Sequence, residues 1–136
     1  MPLSRTQRIV RAKRYMDRAY EQPLNLHRLS QEAYLSKYHF LRVFKQTYRI
    51  TPHQYLLRRR IDQARQFLRE NELSVSEICY LTGFESPGSF SSLFKREVGM
   101  SPSQYRKFYL QQQELAREKP RQFIPHCFIN RFLGEE

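Results

Sequence analysis

Apolar residues recur along this chain at helical spacing, and residues that cap helices stand in front of most of the runs. Over residues 4–20, Ile9, Ala12, Met16 and Ala19/Tyr20 fall on one face with Arg and Lys between them, predicting an amphipathic first helix. Glu21-Gln22-Pro23 ends it, because a residue before proline resists the α conformation. Asn25 then caps a short helix with Leu26, Leu29 and Ala33 inward, and Tyr34-Leu35 is a turn. Ser36 starts the next helix, with Phe40, Val43, Phe44 and Thr47 on its buried face. Thr51-Pro52 opens another, and Tyr55, Leu57, Ile61, Ala64 and Leu68 form its stripe as far as Glu70. Ser74 caps a segment carrying Val75 and Ile78, Gly83-Phe84 is a turn, and Ser86 begins a further helix. A last helix runs from Pro102 to about Leu115.

Much of this pattern occurs twice. Residues 36–55 align without a gap on residues 86–105, pairing Ser36/Ser86, Phe40/Phe90, Phe44/Phe94, Lys45/Lys95, Pro52/Pro102, Gln54/Gln104 and Tyr55/Tyr105. Upstream, Val75 and Ile78 match Leu26 and Leu29 at a spacing one shorter, so the second turn holds one additional residue. A short helix, a tight turn and a longer helix make a helix-turn-helix, and a repeat implies one structural unit built twice. The segment between the copies, ~28 Å long at 1.5 Å per residue, is expected to be a rigid spacer.

Charge separates the two copies. The 136 residues carry a net charge of +11, and residues 1–70 hold 16 Lys/Arg against 5 Asp/Glu, whereas residues 71–136 hold 8 of each. A basic balance confined to one half points to a polyanionic partner. No apolar run approaches the ~20 residues that span a bilayer, and the N-terminus has no signal-peptide core, so a soluble cytoplasmic protein is expected. Cys79 and Cys127 stand at no metal-like spacing, and Cys79 reads as a core residue. His27, His39, His53 and His126 are scattered, and no phosphate loop, nucleophile elbow or acidic pair is present. Neither a cofactor, a metal nor an enzymatic activity is expected. Residues 116–136 lose periodicity, yet Phe123, Ile124, Phe128, Ile129, Phe132 and Leu133 are too apolar for an ordinary disordered tail.

The second copy is the more specific. Gly83-Phe84, Phe90, Phe94-Lys95, Gly99, Ser101-Pro102 and Tyr105 stand in an order that resembles the DNA-binding domain of the AraC/XylS family of bacterial transcription regulators. The resemblance covers about residues 5–110. It implies an all-α fold of seven helices, bipartite, with two helix-turn-helix subdomains (4–50 and 71–115) joined by a linker helix (51–70) and entering successive major grooves of DNA. The apolar extension 116–136 has no role under it. No small-molecule effector domain is visible, so the chain resembles the short stand-alone members. A monomer on double-stranded DNA is expected, with RNA polymerase as the partner in activation.

Helical geometry nominates the contacting residues. Opposite Phe40, within about 40° at 100° per residue, lie Tyr38, Arg42 and Lys45, joined by Arg49 if the helix continues. Arg can pair with guanine O6 and N7, and Tyr can meet a thymine methyl, so Tyr38 and Arg42 are the expected base readers; the resemblance agrees. Lys45 and Arg49 suit phosphates. The second copy presents Gly88, Ser92 and Lys95 there, flanked by Pro87 and Ser89. Ser89 and Ser92 can meet base edges only weakly, and Lys95 is expected on the backbone. The helix starts at Ser36, Thr51, Ser86 and Ser101 are further candidate backbone contacts, with free N–H groups expected behind Pro52 and Pro102. Arg58, Arg59 and Arg60 either add phosphate contacts or form a solvated face. The alternative function is a protein-interaction adaptor with largely nonspecific DNA affinity; a repair enzyme finds no active site in the residues.

Overall fold

A computed structural model describes residues 2–118. Residues 119–136, with Cys127, His126 and the apolar positions Phe123 to Leu133, lie outside the described residues. The described chain holds seven α-helices and no strand: α1 (Arg5–Arg18), α2 (Leu26–Glu32), α3 (Lys37–Tyr48), α4 (Pro52–Glu70), α5 (Val75–Leu81), α6 (Pro87–Val98) and α7 (Pro102–Glu118). It divides into two compact units, with the boundary inside α4 between Arg60 and Ile61.

The first unit packs α1, α2, α3 and the start of α4 around Ile9, Ala12, Met16, Leu29, Ala33, Phe40, Val43, Phe44 and Leu56. Its helices start where the capping residues stand. The Arg28 amide donates to Asn25 Oδ1 at 2.8 Å, and the His39 amide to Ser36 Oγ at 3.2 Å. Tyr34 turns the chain at φ 54°, and the Leu35 amide returns to the Ser30 carbonyl at 3.0 Å. Below the core, Asp17 accepts from Lys13 Nζ at 3.0 Å and from the Tyr55 hydroxyl at 2.5 Å, with Arg59 Nε at 3.9 Å. Burial, then the Asp17 hydrogen bond, pushes the Tyr55 phenol up to about 12. The hydrogen bond to Asp17 also raises the Lys13 ammonium above its ordinary value, against some desolvation.

The second unit repeats this plan. Ile61, Ala64 and Leu68 of α4, Ile78 and Cys79 of α5, Phe90, Phe94 and Val98 of α6 and Tyr105 of α7 are buried. Burial raises the Cys79 thiol. Gly83 takes the turn at φ 92°, where Tyr34 stands in the first copy, and the Phe84 amide returns to the Cys79 carbonyl at 3.1 Å. The additional residue of this turn is Glu85, between Phe84 and the cap Ser86. Arg106 closes the end of α4, donating to the carbonyls of Leu68, Asn71 and Leu73 at 3.2, 3.1 and 2.6 Å.

The repeat reaches further back than residue-for-residue identity shows. Ile9, Ala12 and Met16 of α1 stand 52 residues before Ile61, Ala64 and Leu68 of α4, so α1 and the second half of α4 are counterparts. Asp17 corresponds to Arg69, which donates to the Tyr105 hydroxyl at 3.0 Å, so the same ring is held by the opposite charge.

Several boundaries differ from the sequence pattern. On α4 the leucine buried in the first unit is Leu56, with Leu57 only half-buried, because the first half of α4 serves a different core from Ile61, Ala64 and Leu68. Thr47 is exposed and donates back to the Val43 carbonyl at 2.8 Å; Tyr48 packs inward instead, its ring 4.8 Å from Phe44. The first helix stops at Arg18, and α7 runs past Leu115 to Glu118.

Candidate nucleic-acid interface

With Phe40, Val43 and Phe44 buried, α3 turns its other side outward. Tyr38, Leu41, Arg42, Lys45, Gln46 and Arg49 line an open groove of about 410 Å³ there. Tyr38 is 76% exposed, and the Arg42 guanidinium lies 5.9 Å from the centre of its ring. That contact sets the guanidinium against an aromatic ring while both side chains stay at the surface. Lys45 is exposed one turn further on. The condition set for Arg49, that α3 continue through it, is not met. Arg49 is the C-cap, in left-handed conformation at φ 67°, with its amide bonded to the Lys45 carbonyl at 2.8 Å. Its side chain still joins the groove.

Leu41 and Gln46 belong to this surface and lay outside the arc drawn opposite Phe40. At 100° per residue Leu41 falls about 100° from Phe40, and an apolar residue there reads as core. The signal that would have found it is its position three residues after Tyr38, on the same side of the helix.

The second copy is plainer. Gly88, Ser89, Ser92 and Lys95 are all exposed along α6, and beyond the adjoining helix backbone and chain neighbours no atom lies within 4 Å of where a Gly88 side chain would begin. Ser86 caps α6 by accepting from the Ser89 amide at 3.2 Å, and its hydroxyl lies 2.9 Å from the Ser89 hydroxyl, so two candidate residues are bonded to each other. Ser92 carries no such bond among the described contacts.

The two proline-led helix starts are more closed than expected. The Gln54 amide donates to Thr51 Oγ1 at 3.1 Å while the Thr51 amide donates to Gln54 Oε1 at 3.0 Å. Ser101 and Gln104 repeat this pair at 3.2 and 3.0 Å. Pro52 and Pro102 have no N–H, so His53 and Ser103 carry what remains of the expected open amides. Within the arginine run, Arg58 is exposed. Arg59 stacks 4.5 Å over the Tyr20 ring, and Arg60 donates to the carbonyls of Tyr20 and Gln22 at 2.6 and 2.8 Å. Two of the three therefore tie α4 to the end of α1. Burial raises the Tyr20 phenol, against the opposing charge of Arg59.

Among the described residues no cluster of His, Cys, Asp or Glu could hold a metal, and no helix is long and apolar enough to cross a membrane. The geometry defines a class: a doubled helix-turn-helix protein whose first unit carries a basic, partly aromatic outer helix face.

A family model described as a helix-turn-helix domain matches residues 29–107. Among curated proteins, the probable transcriptional regulator LumQ of Photobacterium leiognathi is 39% identical over 94 residues, 69% of this chain and 38% of its own length. The chain thus spans well under half of that relative. Among solved structures, the DNA-binding domain of the transcriptional factor AdpA, in complex with a target DNA, is similar with a TM-score of 0.70 at 26% identity, over 82% of this chain and 96% of that one. An AraC-type transcriptional regulator from Chromobacterium violaceum is similar with a TM-score of 0.73 at 27% identity, over 78% and 95%. The chain belongs to the AraC/XylS family.

Proposed function

We propose that this chain is the DNA-binding part of a sequence-specific transcription regulator, acting in the cytoplasm and binding double-stranded DNA as a monomer. The observation that carries the reading is the groove of α3, where Tyr38, Arg42, Lys45 and Arg49 stand together opposite a fully buried face. The AdpA domain, similar over most of its length, is solved on its target DNA. Under this reading Tyr38 and Arg42 read bases, while Lys45, Arg49 and Lys95 meet phosphates. The hydroxyls of Ser36, Thr51 and Ser101 accept amides and keep their protons for phosphate oxygens. Ser86 gives its hydroxyl proton to Ser89, which keeps its own, so α6 reads bases only weakly, through Ser89 and Ser92, and contributes mainly position. Half-sites taken by the two units in successive major grooves have centres ~10–10.5 bp apart. The first half, residues 4–50, and the second, 71–115, then act as two readers on either side of the linker 51–70. Activation proceeds through RNA polymerase.

Selection from randomised DNA tests this, by comparing information content in the two half-sites for the parent, Arg42→Ala and Ser92→Ala. A bidentate Arg–guanine pair carries ~1–3 kcal/mol of discrimination, so Arg42→Ala loses roughly tenfold or more in affinity and relaxes one base pair. Ser92→Ala leaves the preferred sequence intact. Equal information in both half-sites, or a larger loss from Ser92→Ala, sinks the assignment. One observation favours the adaptor reading: Tyr80 and Leu81 of α5 are 58% and 49% exposed, where the first copy has Gln31 and Glu32. Selection that returns no preferred sequence decides for it.

A further inference from the structure

The outer face of α3 is apolar as well as basic. Tyr38 and Leu41 are the exposed large hydrophobic residues of this helix, 76% and 37% exposed, and both line its groove. They stand three residues apart, so their side chains are neighbours along one side of the helix. Arg42 lies over the Tyr38 ring on the other flank, and Lys45 and Arg49 extend the groove toward its C-terminal end. Water gains nothing from such a surface, and the surrounding cations select against an apolar partner without negative charge. The major groove of DNA supplies both requirements at once, since thymine presents a C5-methyl group between acidic backbones.

We infer that Tyr38 and Leu41 together form a receptor for the C5-methyl groups of thymine, next to the base pair taken by Arg42. The inference rests on the reading of α3 as the helix that enters the major groove, and extends it to a residue the polar pattern does not nominate. It also assigns the property to one copy. In α6 the corresponding positions are Gly88 and Ser91, and no large exposed hydrophobic residue is present there. Thymine methyls therefore carry affinity in the half-site read by α3 and carry none in the other.

Replacing thymine by deoxyuridine removes the methyl alone and leaves base pairing intact. The probe is the best duplex from the selection, with each thymine exchanged in turn; the half-site of α3 is the one whose preference relaxes in Arg42→Ala. Burial of one methyl group corresponds to roughly a fourfold change in affinity. The expected result is a loss of about that size at one or two thymines in that half-site, and none in the other. Leu41→Ala and Tyr38→Ala should bind the thymine-containing duplex more weakly than the parent does, and in them the same exchanges should cost nothing. Both positions are exposed on a helix, so the variants should keep the fold, and melting curves check this. Sequence-selective binding that is insensitive to every exchange, or a half-site without thymine, overturns the methyl receptor and leaves the DNA reading standing. Sensitivity that persists in both variants overturns it as well, since another residue then meets the methyl. Absence of any sequence preference sinks the DNA reading itself and marks the apolar face as a protein contact.

Discussion

Asp17 is the sole acidic residue of α1, and its removal should destabilise the first unit more than its position near the surface suggests. It accepts from Lys13 Nζ at 3.0 Å and from the Tyr55 hydroxyl at 2.5 Å, and both Lys13 and Asp17 side chains are about a third exposed. Solvent screening limits the Lys13 pair to about 0.3–0.5 kcal/mol. The hydroxyl-to-carboxylate bond is charge-assisted and worth ~1.5–3 kcal/mol. Asp17→Ala should therefore cost about 2–3 kcal/mol, a large part of the ~5–15 kcal/mol that holds a domain of this kind. A double-mutant cycle with Tyr55→Phe, read by urea unfolding, separates the shared bond from the rest. Coupling of about 1.5 kcal/mol is expected. A value under ~0.5 kcal/mol would refute the argument, because the two groups would then contribute independently. The same bond has a pH signature. The Tyr55 pKa is raised to about 12 in the folded chain, so its contribution is fully present below the ordinary value near 10 and is lost as pH rises through about 12. Parent stability should fall more steeply than that of Tyr55→Phe across this window. In Asp17→Asn the phenol should ionise at lower pH than in the parent yet stay raised, since burial is the larger cause; phenolate absorbance reads this directly.

Lys45→Ala should weaken binding to all DNA sequences alike and flatten the slope of log K against log salt by about one unit, and an unchanged slope removes Lys45 from the phosphate contacts. Phe44→Ala and Phe94→Ala should each cost ~3–5 kcal/mol in unfolding experiments, since both rings are fully buried against other aromatics; a parent-like melting curve would contradict the core described above. Arg49→Gly relieves a left-handed C-cap while deleting a groove charge, so it should fold at least as stably as the parent and bind DNA more weakly; destabilisation beyond about 1 kcal/mol would contradict this.

The helices were legible because each announces itself locally. Asn25, Ser36, Ser74 and Ser86 accept an amide three residues on, and Gly83 supplies the positive φ its turn uses. The all-helical, seven-helix fold followed from the resemblance and stands. What periodicity could not resolve is position where two demands compete. Leu57 lies on the same line as Ile61, Ala64 and Leu68, yet Leu56 is buried, because a single stripe cannot describe a helix that belongs to two cores. The outer face of α3 was legible in its cations and in Tyr38. Leu41 escaped because hydropathy assigns leucine inward, and only the packed structure shows it lining the groove. Arg49 was legible as a cation of that face but not in its conformation: Tyr34 and Arg49 both hold positive φ without being glycine, and no residue-type rule points to such positions.

The sharing of α4 limits how the duplication can be taken apart. Tyr55 and Leu56 serve one core and Ile61, Ala64 and Leu68 the other. A fragment cut after Arg60 retains nine residues of the helix, below the roughly 12–15 at which a helix holds by itself in water. A fragment carried on to Glu70 keeps the helix and hands Ile61, Ala64 and Leu68 to solvent. Either half alone is frayed or sticky. Swapping one copy for another reader therefore means rewriting half of a helix that its neighbour also inherits, and substitutions along α4 answer to two selection pressures at once.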